Sequence, residues 1–190
     1  MNQRILSGSP EAIATAVKII NSSGVIVYPT DTLYGFGGKA SDKTAVDKIN
    51  FIKNRKAPMS VIVSDLQMAF SISDLTDKEK DIFIKHFGGA NTIIVKARKG
   101  ELFSQILGPD GSVGIRMPDH PFGKELVKTL NYPITTTSVN RTGEQSLNDP
   151  DEIMKQFRNE IDLLIDEGVL PQSKGSSIYK LNNTTLIKMR

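Results

Sequence analysis

Between Val25 and Lys56 three patterns follow one another without a gap, and together they constrain the fold more than any other stretch. Val25-Ile26-Val27-Tyr28 is a short apolar run, the pattern of a buried strand. Pro29 has no N–H to give to a ladder and breaks it. A polar segment follows, with hydroxyls at Thr30 and Thr32, a carboxylate at Asp31 and glycines at 35, 37 and 38. From Asp42 to Lys53 the residues Ala45, Val46, Ile49 and Ile52 recur at helical spacing, and Lys53, Arg55 and Lys56 cluster at the far end. A strand, a glycine-bearing loop, a helix and then cations suit an anionic ligand at the end of a sheet.

The rest of the chain repeats this alternation. Ser9-Pro10 predicts a helix start, with Ser9 as cap, Ile13, Val17 and Ile20 on one face, and Gly24 as the stop. Strands are expected over 59–64, 92–97, 113–117, 134–137, 163–166, 176–181 and 184–189, and helices over 74–87, 121–130 and 150–158. Gly100 to Gly111 carries turn chemistry. Strands alternate with helices at first and cluster near the end, which predicts one α/β domain, residues 1–190, with a mixed, twisted sheet flanked by helices.

Composition narrows the chemistry. Cysteine is absent, which excludes disulfides, thiolate catalysis and cysteine-held metals and is compatible with a cytoplasmic protein. No apolar run approaches the roughly 20 residues a bilayer requires, and Met1 to Pro10 has no secretory pattern. The net charge of +3 is a mild excess, suited to phosphate or RNA contact without requiring either.

Several motifs fail on inspection. Gly35-Phe36-Gly37-Gly38-Lys39-Ala40 fits a loose dinucleotide pattern, but six residues separate its first glycine from the strand and the region about 20 residues on is basic instead of acidic. Lys39 is followed by Ala40, so no Walker A loop is present. His86 and His120 are in unrelated contexts, which disfavours a structural metal. Other features stay open on the residues alone. The glycine segment reads equally as a plain strand-to-helix connection, and Lys53, Arg55 and Lys56, taken as an isolated cluster, read as a solvated helix end. Asp31 could anchor another side chain or act as a base. Arg116 differs, because it falls inside a strand pattern where a charge needs an anionic partner. Ser138 and Asn140 follow a strand end on one face, or serve a turn.

Pro29 to Gly37, P-T-D-T-L-Y-G-F-G, resembles the opening motif of the YrdC-like family, the threonylcarbamoyl-AMP synthases. The resemblance continues in order through Lys53-Asn54-Arg55, Gly89-Ala90-Asn91-Thr92, Val113 to Pro118, Ser138 to Gly143 with Ser146, Gly175 to Ile178, and Arg190. Only Lys56 and Ala57 separate Arg55 from Pro58, Gly88 stands where the family has proline, Val139 where alanine is usual, and Ser177 where threonine is usual.

The resemblance implies a YrdC-like α/β twist with a large basic cavity in a short, single-domain form. It implies a nucleotidyltransferase that condenses L-threonine, bicarbonate or CO2 and ATP to threonylcarbamoyl-AMP and pyrophosphate, with Mg²⁺ carried on the phosphates. A partner transferase would then modify adenosine in tRNA, and a contact with tRNA or double-stranded RNA belongs to the same picture. Thr32, Arg116, Thr136 and Ser176 would bind threonine. Arg55, Ser112, Ser138, Ser146 and Arg190 would bind ATP. Lys53, Arg55, Ser138 and Asn140 would form a catalytic tetrad. The alternative is a relative that binds double-stranded RNA or the ribosome without making the adenylate.

Overall fold

The computed structural model describes residues 3–54 and 56–190. Arg55, assigned above to both the tetrad and the ATP site, lies outside the described residues. The strands are β1 (Gln3–Leu6), β2 (Ile26–Pro29), β3 (Tyr34–Gly37), β4 (Ser60–Ile62), β5 (Asn91–Lys96), β6 (Ser112–Arg116), β7 (Ile134–Ser138), β8 (Leu163–Asp166), β9 (Ser177–Asn182) and β10 (Thr185–Lys188). The helices are α1 (Ala12–Asn21), α2 (Lys43–Lys53), α3 (Leu66–Ser71), α4 (Asp77–His86), α5 (Pro121–Leu130) and α6 (Pro150–Phe157). Among the described residues the strands form one mixed sheet in the order β1-β8-β2-β3-β7-β4-β6-β5-β9-β10. β7 is the seam, antiparallel to β3 on one side and to β4 on the other. No helix among the described residues is long and apolar enough to cross a membrane.

The opening stretch folds differently from expectation. Pro29 does not break away from the sheet; it closes β2 opposite Tyr34, and the glycine segment is itself a strand, antiparallel to β2. Tyr34-Gly35-Phe36-Gly37 alternates by two, and its glycines make room for a neighbour. A Cβ on Gly37 would come within 2.7 Å of the buried Tyr28 ring. Glycine in a strand here marks close packing, not a loop. The turn Thr30 to Leu33 is held by the Thr30 hydroxyl, which donates to the Leu33 carbonyl at 2.7 Å and accepts from the Leu33 N–H at 3.2 Å.

Other boundaries shift for local reasons. Ser9 does not cap α1: its carbonyl accepts from Ala12, and Glu11 occupies the cap position without a side-chain bond. The fully buried stripe of α1 is Ala12, Ala16 and Ile20, with Ile13 and Val17 at its edges, and α1 packs on α5 and β2. α2 starts where expected, its Asp42 cap accepting from Thr44 and Ala45, and the hydrogen bond from Ser23 with those two from the backbone holds that carboxyl below its usual range against burial, which pushes it up. The helix expected over 74–87 begins later, at Asp77, behind a Thr76–Glu79 capping box.

Candidate functional site

A cavity of about 560 Å³ opens along the seam, lined by the β2–β3 turn, the ends of β6 and β7, the segment 144–146, the strap 172–176 and Arg190. That volume is in the range of small-ligand sites. Thr32, Arg116, Thr136, Ser138, Ser146, Ser176 and Arg190, taken from distant parts of the sequence, all line it.

At one end sits Arg116, 5 % exposed. Burial pulls its pKa down and the Asp31 carboxylate opposes that shift, so the guanidinium keeps its charge in a mostly dry site. One Nη donates to Asp31 and Nε to the Gly89 carbonyl at 3.4 Å. Asp31 thus anchors an arginine. A guanidinium has five N–H donors, so the remaining edge can receive a further carboxylate. The Thr32 and Thr30 hydroxyls lie 3.2 Å apart beside it, and the Ser176 and Thr92 hydroxyls 2.7 Å apart. The Arg190 guanidinium donates to the Ser176 carbonyl at 3.0 Å.

The other end is organised by Asn140. Its Oδ1 accepts from the Lys53 ammonium at 2.8 Å and from the Ser138 hydroxyl at 2.7 Å, while Nδ2 donates to the Glu144 carbonyl at 2.8 Å. Lys53 also donates to the Ser138 and Asn140 carbonyls, at 2.6 and 3.1 Å. Its ammonium is 5.7 Å from the centre of the Phe36 ring. Lys53 is 3 % exposed and lies behind the cavity wall. The expectation of a solvated helix end therefore fails for Lys53: the last residue of α2 turns inward and organises the loop after β7.

Ser112 is placed elsewhere. It lies at the opposite end of β6 from Arg116, outside the cavity lining, and its hydroxyl donates to Asp110 at 2.6 Å. The Asp110 carboxyl also accepts from Lys180 at 2.7 Å, and the two bonds hold it well below the usual carboxylate range. Sequence reasoning passed over the strap before Gly175. Gln172, Ser173, Lys174 and Gly175 line the cavity, and the signal available was a long polar stretch with glycines at 168 and 175 between two strands. Its start is pinned by Tyr34, whose phenol accepts from the Glu167 N–H and donates to the Gly168 carbonyl, both at 2.8 Å. Burial pushes that phenol up to about 12.

Residues 18–190 match a sequence model of the Sua5/YciO/YrdC domain, described as "Telomere recombination". A Methanocaldococcus jannaschii protein provisionally named threonylcarbamoyl-AMP synthase is 35 % identical over 175 residues, 91 % of this chain and 82 % of that protein. The Bacillus subtilis threonylcarbamoyl-AMP synthase is 30 % identical over 169 residues, 86 % of this chain but 48 % of that longer protein. Escherichia coli YciO, which carries no assigned activity in its name, is 30 % identical over 183 residues, 94 % of this chain and 87 % of that protein. The crystal structure of E. coli YciO superposes with a TM-score of 0.88 at 28 % identity, covering 100 % of this chain and 94 % of that one. P. abyssi Sua5 complexed with L-threonine gives 0.89 at 23 % identity over 100 % of this chain and 57 % of that one, a likeness of fold.

Proposed function

Because the chain belongs to the Sua5/YciO/YrdC family, we propose that it is a threonylcarbamoyl-AMP synthase, joining L-threonine, bicarbonate or CO2 and ATP with release of pyrophosphate. The observation that carries this reading is the meeting of Thr32, Arg116, Thr136 and Ser176 with Ser138, Ser146 and Arg190 in one cavity. The relatives named for this activity, and the threonine bound by Sua5, support the same substrate.

The chemistry suits the side chains. The open edge of Arg116 takes the amino-acid carboxylate, and the Thr32 and Ser176 hydroxyls are placed to sort side chains that carry a hydroxyl of their own. The amine adds CO2 to form a carbamate. A carbamate oxygen then attacks the α-phosphorus of ATP, a P–O bond forms, and the bond to the β,γ-phosphates breaks to release pyrophosphate. Such a step needs alignment and charge neutralisation more than a strong protein base. Ser138, Ser146 and Arg190 border the space for the nucleotide, Lys53 and Asn140 fix Ser138 from behind, and Arg55 completes the proposed tetrad. Mg²⁺ would enter on the ATP phosphates; hydroxyls and Glu144, the one acidic side chain among the described lining residues, suit a metal held mainly by phosphate and water. The product would pass to a transferase acting on tRNA.

The test is chromatography of reactions holding protein, ATP, Mg²⁺, bicarbonate and one of several amino acids. Pyrophosphate and an acylcarbamoyl-adenylate with threonine alone establish the reading. Folded protein that makes no adenylate with any amino acid removes it, and salt-dependent RNA binding by that protein would favour the non-catalytic alternative.

A further inference from the structure

Outside the cavity, a second set of bonds joins the end of α2 to the loop after β7. A helix ends with four carbonyls that have no partner within it. In α2 these belong to Asn50, Phe51, Ile52 and Lys53. The Asn54 N–H, on a left-handed residue, satisfies the first two. The Ile52 carbonyl accepts from an Arg141 Nη, and the Lys53 carbonyl accepts from the Thr142 N–H at 3.1 Å and hydroxyl at 2.8 Å. The loop therefore caps α2 with a cation and a hydroxyl, the charge suited to the negative end of the helix dipole.

The capping runs in both directions. Lys53, whose carbonyl the loop holds, sends its own ammonium back to Ser138 and Asn140 of that loop. Arg141 is fixed in turn. Its guanidinium makes a two-point contact with Glu160, at 2.5 and 3.0 Å, and lies 5.0 Å from the centre of the Phe157 ring. Phe157 meets Phe36 edge to face at 5.3 Å, and Phe36 belongs to β3, whose Gly35 pairs with Ser138. The contacts form a closed circuit through β3, β7, the loop and α6.

We infer that Arg141, oriented by Glu160, is a positioning residue that sets the Ser138–Asn140 corner by locking Lys53 from behind. An ordinary cap would stabilise α2 and leave the reaction untouched. Here Arg141 caps Ile52 and its neighbour Thr142 caps Lys53, the residue whose side chain orders the site, so displacement of Arg141 reaches Ser138 through Thr142 and Lys53.

The inference rests on the proposed activity, and its test has one readout that does not. Arg141→Ala, Arg141→Lys and Glu160→Gln are compared with the wild type in synthesis and in amide hydrogen exchange over 138–142. Misplacement of an aligned group by about 1 Å can cost on the order of 100-fold, so a kcat loss of roughly tenfold is expected for Arg141→Ala, with KM for threonine and ATP within about twofold. Arg141→Lys, which keeps one charged donor, should recover part of that loss, and Glu160→Gln should fall between them. Exchange at Asn140 and Thr142 should quicken in the order of the kcat losses. Unchanged kcat in folded variants overturns the inference, as does a loss that follows only the melted fraction and disappears on cooling. If the wild type makes no adenylate, the proposed function fails, and the exchange order alone decides whether Arg141 locks the loop.

Discussion

At the Ser138 end of the cavity one amide, Asn140, joins a buried ammonium, a hydroxyl and a backbone carbonyl, and the loop around it is tied to α2 in both directions. At the Arg116 end one buried arginine is shared between a carboxylate and a carbonyl on two different turns, with two hydroxyl pairs nearby. The first arrangement is a preorganised network that a substrate can use without rearranging it. The second is a charge with donors still to give, able to accept an anion while keeping Asp31. The difference separates the roles: geometry of the reacting atoms at one end, recognition of the amino acid at the other.

The contrast is broken most severely by Asn140→Ala. That change leaves Lys53 and Ser138 without their common acceptor in a buried site, a loss of roughly 1–3 kcal/mol of stability. The kcat should fall at least 100-fold on the order seen for removal of preorganised donors, with threonine affinity nearly intact. Calorimetric binding of threonine beside the chromatographic assay would check both halves; a variant that loses threonine binding and turnover together would erase the distinction between the ends.

Arg116→Ala should do the reverse. A hydrogen bond to a charged group contributes about 1.5–3 kcal/mol, so the KM for threonine should rise roughly 10- to 100-fold while saturating threonine restores much of the turnover. Steady-state kinetics over a wide threonine range measures this. A fall in kcat with unchanged KM would move Arg116 from recognition into the chemistry.

How much of this was legible in the sequence depended on the physical signal available. α5 and β8 lie where Pro121 and the Leu163-Leu164-Ile165 run placed them, because a proline at a helix start and a continuous apolar run are strong local signals. β3 was hidden because Gly35 and Gly37 suggested a loop, whereas the glycines accommodate Thr136 and the Tyr28 ring across the sheet. α3 is six residues long, too short to show a period. Within the site, motif order named seven of the lining residues, yet it could not show that Lys53 faces inward, since side-chain direction at a helix end is decided by the carbonyls of a loop 85 residues away. The partner of Arg116 was anticipated only as an anion; the turn Thr30 to Leu33 supplies Asp31.

A smaller effect sharpens the recognition end. His120 is half-buried with its Nδ1 buried and unpartnered among the described residues; burial lowers its pKa, while the charges of Glu167 and Asp31 pull the other way. The folded state therefore binds this proton less readily than the unfolded chain, whose histidine titrates near about 6.5. Stability from neutral His120 is fully present above that pH and is lost as pH falls below it. Melting temperature should drop by on the order of a few °C between neutral and mildly acidic pH. His120→Gln should flatten the part of that slope that belongs to this group, and an identical slope in the variant would assign it elsewhere.

The smallest expected effect is the most discriminating for the map of the cavity. Ser112 and Arg116 share a strand and, by the two-residue alternation, a face, and the family resemblance assigned Ser112 to the nucleotide. The distance along β6 and the turn before it argue otherwise. Asp110 accepts from both the Ser112 N–H and hydroxyl, at 3.2 and 2.6 Å, and holds Lys180 on its other oxygen. The hydroxyl therefore serves a turn that joins β6 to β9. Ser112→Ala should change the KM for ATP by less than about twofold, while Ser138→Ala, which removes a donor inside the cavity, should lower kcat by tenfold or more. Parallel ATP titrations of the two variants compare serines that differ in what their hydroxyls hold. A KM shift at Ser112 as large as the kcat loss at Ser138 would require the nucleotide to extend along β6 beyond the observed lining.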